Sequence, residues 1–136
     1  MGAWGIKNFE NDTAGDWLYD FEENSTIEFL EETLDAVFLE QFLDGDIASA
    51  ALAAMEAVTL IKGNSRENAE EIENVTIKLI EKKLDRNFYN KCIQVIDRIL
   101  SKENNELFEL WEESDLFTEW KNVVSDLKTR ILNLKN

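Results

Sequence analysis

Asp12, Asp16 and Asp20 recur every four residues, a spacing that on a helix lines three carboxylates along one face, close enough to attract a divalent cation. Charge runs of this kind ordinarily form a solvated face, and hard cations prefer loops that wrap oxygens around them. Asp44-Gly45-Asp46 does not extend into the Asp-x-Asp-x-Asp-Gly pattern of a calcium loop. Glu28 with Glu32, and Glu31 with Asp35, make further four-residue pairs. Such pairs raise one another's pKa only modestly in water, and acid/base catalysis needs a desolvated cleft. The pattern therefore marks Asp12, Asp16, Asp20, Glu28, Glu31, Glu32 and Asp35 as candidates for holding a partner, and assigns no catalytic, cofactor-binding or metal-binding residue. Glu56 stands apart as the one charged residue inside an alanine-rich apolar run. It is expected at an exposed edge or beside a buried partner.

Other chemistries are removed by what the chain lacks. No histidine occurs in the 136 residues, which excludes the common zinc ligand sets, a Cys-His pair, a Ser-His-Asp triad and the Glu-x-x-His of di-iron bundles. Cys92 is the only cysteine, so no intrachain disulfide can form, and its apolar surroundings predict a small buried hydrophobe. Gly2-Ala3-Trp4-Gly5 lacks the Gly-Lys-Ser/Thr ending of a phosphate loop.

The formal net charge is -15, and it is placed unevenly: residues 1–62 carry fourteen carboxylates against Lys7 and Lys62, while residues 63–136 carry fifteen against twelve cations. A one-sided acidic field steers basic partners and repels nucleic-acid phosphates and anionic membrane surfaces. Nucleic-acid binding is disfavoured, and a basic protein is the expected partner.

These groups need elements to position them. Apolar residues make up 44% of the chain, with eight Phe and four Trp, and proline is absent. That composition predicts a folded, all-α single domain over residues 1–136 rather than a disordered acidic chain. The reading is a compact bundle of about six helices, with an extended or looped N-terminal lead-in and a central Ala-rich helix at residues 46–62.

Asn11 or Asp12 can cap a first helix with Ala14, Trp17, Leu18 and Phe21 inward. Ser25-Thr26-Ile27-Glu28 reads as a capping box with Ser25 at the N-cap. The helix it opens would carry Ile27, Leu30, Leu34, Val37, Phe38 and Phe42 inward and end at Gly45. Asp46 would cap the central helix and Gly63 close it. Ser65 would start a fourth helix, with Ile72, Val75, Leu79 and Ile80 inward. A fifth has Phe88, Cys92, Val95, Ile96 and Ile99 on its stripe, and Leu107, Phe108 and Trp111 form a short turn or two. The last carries Leu116, Phe117, Trp120, Val123, Val124, Leu127, Ile131 and Leu134. No run of eighteen apolar residues appears and no secretory leader opens the chain, so a cytoplasmic protein is expected.

The two ends carry a more specific signal. Met1-Gly2-Ala3-Trp4-Gly5 is followed by Phe9, Asn11-Asp12, Ala14, Asp16, Trp17 and Leu18; near the other end stand Asn105-Glu106-Leu107, Leu110-Trp111-Glu112-Glu113 and Trp120. In these segments the chain resembles the bacterial proteins grouped as domain of unknown function 4259. The resemblance spans nearly the whole length, departing where Lys7 and Asn8 replace a glycine-containing spacer and where Asn105 replaces a serine. It implies an acidic, mainly helical cytoplasmic domain and transfers no catalytic residue. The glycines would let the lead-in pass close to other backbone, with Trp4 inserted among the terminal helices. The aromatics are expected in the core, and any left exposed would serve as anchors for a protein partner.

Three functions are weighed on these grounds. The first is a non-enzymatic binding module for a basic protein, such as an immunity protein that blocks a cationic toxin or nuclease. The second is a small carboxylate- or metal-dependent hydrolase. The third is a homo-oligomer subunit paired through apolar residues of the second or last helix.

Overall fold

The structure, a computed structural model, describes residues 3–69, 72 and 80–135. Among the described residues there are six α-helices: α1 (Asp12–Glu23), α2 (Ile27–Asp35), α3 (Gly45–Ile61), α4 (Arg86–Ile99), α5 (Glu106–Glu112) and α6 (Phe117–Leu134), with a 3-10 turn at Ala36–Phe38 between α2 and α3. There is no strand among them, only isolated bridges joining Ala3 to Asn11 and Leu43 to Asn105. The all-α architecture follows the apolar stripes of the sequence.

The centre is α3. Small side chains let neighbouring backbones approach closely, and Ala48, Ala51, Ala53, Ala54 and Ala57 are all buried on this helix with Leu52, Met55 and Val58. Accordingly α3 packs against all five other helices. Apolar side chains of every helix join one buried cluster. Trp17 stacks on Phe21 and Phe29, joining α1 to α2, and Trp111 stacks on Trp120 at 6.0 Å, joining α5 to α6.

Several helix boundaries shift for identifiable reasons. Asn11 caps α1, its Oδ1 accepting from the Ala14 amide at 2.8 Å. Thr26, not Ser25, caps α2, because the Ser25 hydroxyl turns back to donate to the Phe21 carbonyl at the end of α1. Helix α2 stops at Asp35, and the 3-10 turn changes the period: Val37 turns inward while Phe38 and Phe42 lie half exposed rather than on a buried stripe. Asp44, not Asp46, caps α3, and Gly45 opens that helix instead of ending its predecessor. Gly45 is small because its amide donates to Glu106 Oε1 at 2.7 Å, and a Cβ there would meet that oxygen at 2.9 Å. Gly63 does close α3, in the left-handed conformation at φ 74°.

No helix starts at Ser65, since residues 64–69 are irregular. Most of the helix expected there, including Val75 and Leu79, lies outside the described residues, as does Gly2; Ile72 and Ile80 are buried. In α6, Trp120, Val124, Leu127 and Ile131 are buried as expected, whereas Leu116 is exposed.

The lead-in closes on itself. Trp4 donates its amide to the Glu10 carbonyl and Glu10 to that of Lys7, both at 3.1 Å. This loop turns Ile6 and Phe9 against the core and leaves Trp4 64% exposed, so Trp4 is not inserted among the terminal helices. The two ends nevertheless meet, because Ala3 and Ile6 line a small cavity of about 20 Å³ with Leu107, Trp111 and Trp120.

Candidate functional site

The acidic surface is built on α1 and α2. The buried stripe Ala14, Trp17, Leu18 and Phe21 pins α1 to the core, so the opposite face must carry Asp12, Asp16 and Asp20 into solvent, and all three are exposed. Tyr19, 61% exposed, stands on the same outward side. On α2, Glu28, Glu32 and Asp35 are exposed and Glu31 is partly covered.

Two of these seven carboxylates meet a described cation: Lys91 of α4 sits 2.9 Å from Asp35 and 4.0 Å from Glu31. The hydrogen bond from Lys91 to Asp35 holds the ammonium pKa above its ordinary value. Asp12, Asp16, Asp20, Glu28 and Glu32 form no ion pair with any described lysine or arginine. Among the described residues no three carboxylates or thiols gather as a metal site. Asp12 also borders an open groove of about 330 Å³ with Asp46, Glu106 and Leu110.

A second constellation lies inside. Glu56 on α3 is wholly buried and is met by Arg130 of α6, itself only 4% exposed. The guanidinium grips both carboxylate oxygens, at 2.6 and 2.9 Å. Thr59 and Ser65 each donate a hydroxyl to Oε2 at 2.7 Å, and Asn8 of the lead-in donates Nδ2 to Oε1 at 2.9 Å. Burial alone would push the Glu56 carboxyl up, but Arg130 and these three donors outweigh it and bring the pKa down to about 2. The remaining guanidinium nitrogen, Nε, donates to Asp126 at 2.9 Å, and Nη1 also reaches the Asn64 carbonyl.

Glu67 completes the assembly. Its two oxygens accept from the successive backbone amides of Asn8 and Phe9 at 3.0 and 2.9 Å, so two glutamates clasp the lead-in, one by side chain and one by backbone. Burial raises the Glu67 pKa to about 7; the Phe9 amide opposes this, and the nearby Glu56 charge adds to it. Glu67 lines a groove of about 260 Å³ with Lys7, Arg66, Asn122 and Arg130. The paired, neutralised state of Glu56 suits a structural hub better than proton transfer, which needs a pKa near the working pH.

Ser65 thus serves the hub instead of a helix. Arg130 and Asn8 give little sign of their role in the sequence. Asp126 and Arg130 read as an ordinary surface pair four residues apart, although Arg130 adjoins Ile131 at the margin of the apolar stripe. Cys92 is fully buried, and desolvation pushes its thiol pKa up to about 12, so it is inert.

Fold and surface together define an acidic, all-α bundle that neutralises the one deeply buried carboxylate among its described residues internally and turns the carboxylates of its first two helices outward. The family described as Domain of unknown function (DUF4259) matches residues 2–123, and the chain belongs to that family. No curated protein and no solved structure matches it. Among the described residues no helix is long and apolar enough to cross a membrane.

Proposed function

We propose that this chain is a non-enzymatic binding module that engages a basic protein through the outward face of α1 and α2, in the manner of a bacterial cytoplasmic immunity protein covering the cationic cleft of a toxin or nuclease. One observation carries the reading: Asp12, Asp16, Asp20, Glu28 and Glu32 are exposed and unpaired by any described cation. Carboxylates that stabilise the fold through ion pairs sit against lysines or arginines, as Glu31 and Asp35 do; Asp12 and Glu28 favour the first turns of their own helices, and Asp16, Asp20 and Glu32 lie beyond those turns. Unpaired ones project a field that accelerates encounter with a positive surface and disfavours anionic partners. Tyr19 adds an aromatic group of the kind that anchors interfaces. The single cysteine, buried as a free thiol, suits a reducing compartment.

The test is a titration of the purified protein with a monomeric basic protein and with a helical lysine-rich peptide. Binding is expected at about 50 mM salt and is lost by about 500 mM. Replacing Asp12, Asp16, Asp20, Glu28 and Glu32 with Asn or Gln should abolish it while circular dichroism stays unchanged. Association that ignores both salt and these substitutions overturns the reading.

A further inference from the structure

We propose that Phe38, Leu39 and Phe42 form the apolar anchor of that interface, seating against the apolar face of a basic amphipathic segment of the partner while neighbouring carboxylates meet its lysines and arginines. This inference rests on the reading above and extends it from charge to shape. The three side chains fall within residues 38–42 and are 51%, 76% and 51% exposed. Large apolar groups displayed so closely in sequence mark interaction surfaces when the backbone offers them stably.

Here the backbone is held on several sides. Val37 before the segment and Leu43 after it are both buried. The Leu43 amide donates to the Asn104 carbonyl at 2.7 Å, the Leu43 carbonyl accepts from the Glu106 amide at 3.0 Å, and Arg98 donates to the Gln41 carbonyl at 3.2 Å. The anchors are therefore fixed by their neighbours, and binding them costs little ordering entropy.

The surrounding charges select the occupant. No lysine or arginine occurs between Lys7 and Lys62, and Glu32, Asp35, Glu40 and Asp44 flank the segment. Of the cations that approach from α4, Lys91 is paired with Asp35, while Arg98 is turned to the carbonyls of Gln41 and Asn104 and keeps its charge, so the four carboxylates outnumber the cations two to one. A second copy would bring one acidic rim against another, and an anionic bilayer would meet the same repulsion. A segment with leucine-like residues on one face and cations on its flanks matches both features, the recognition mode of a helix laid against an apolar surface.

Two synthetic peptides provide the probe: a helical lysine peptide with leucines along one face, and the same peptide with those leucines replaced by alanine. The protein is expected to bind the leucine peptide about tenfold more tightly than the alanine one. The variant Phe38→Ser/Leu39→Ser/Phe42→Ser should bind both alike. Leu39→Ser alone, at the most exposed position, should remove part of the preference and serves if the triple variant fails to fold. Equal affinity of the unaltered protein for the two peptides, or a preference that survives the substitutions, overturns the anchor. If both peptides then still bind in a salt-sensitive way, the charge reading stands alone; if neither binds, both readings fall. Sedimentation that shows a concentration-dependent dimer dispersed by Leu39→Ser would make a second copy the occupant and also overturn the proposal.

Discussion

Removing one member of the Glu56 and Arg130 pair strands the other charge inside the protein. Both side chains are almost fully enclosed, and truncating one partner of such a pair ordinarily costs about 3–5 kcal/mol. Arg130→Met should lower the free energy of urea unfolding by that amount, whereas Arg66→Met, at an exposed pair with Asp126, should cost less than about 1 kcal/mol. Glu67 gives a pH signature of the opposite sign to Glu56. Its folded pKa of about 7 lies above the ordinary 4.5, so the folded protein keeps a proton that the unfolded chain releases. Its contribution is fully present below pH 4.5 and fades as pH rises through 7. Glu56, at about 2, contributes above pH 4.5 and loses that contribution as pH falls towards 2. Chemical denaturation across this range should therefore show Glu67→Gln flattening the decline between pH 4.5 and 7. An unchanged slope in that variant would contradict the assignment.

Helix ends and helix interiors make different demands. Asn105 caps α5 through the Phe108 amide and also donates its side-chain amide to the Ile99 and Ser101 carbonyls at 2.7 and 2.8 Å. Asn105→Ala should thus cost more than the roughly 1 kcal/mol of an ordinary cap, and more than Asp44→Ala, which loses an exposed cap. Gly15 lies inside α1 with open space where a Cβ would sit. Gly15→Ala is expected to stabilise by about 0.5–1 kcal/mol, read as a higher melting temperature. The stripes of α1, α4 and α6, the apolar run of α3 and the cap at Asn11 were legible because they depend on local sequence alone. The end of α2 was not: continuing the helical period through Phe38 and Phe42 is as good a pattern as the 3-10 turn, and the difference is decided by the buried Leu43 and its bonds to Asn104 and Glu106. Ser25 and Ser65 misled for one reason. A hydroxyl before a helical pattern reads as a cap, yet it can equally be claimed by a carbonyl behind it or by a carboxylate nine residues back, as Glu56 claims Ser65. The exposed carboxylates were legible as a group, because a charged face opposite an apolar stripe follows from helical geometry, but the pairing of Glu31 and Asp35 with Lys91 joins different helices and needed the fold.

At the scale of the molecule, a net charge of -15 both advertises the surface and strains it. Like charges along α1 and α2 repel in the folded state, so raising salt from about 10 to about 300 mM should raise the melting temperature by a few degrees while weakening attachment to a basic partner. Opposite responses of stability and association to one variable would separate this protein from one whose exposed ion pairs maintain its fold. The enclosed position of Cys92 supplies a means to watch such changes. With the only thiol of the chain buried in the core and its proton tightly kept, a chromogenic disulfide reagent can react only during the moments when the helices part. Its rate of colour development is a native stopwatch for breathing of the interior, needing no engineered probe, and a bound partner that quiets the molecule should slow it.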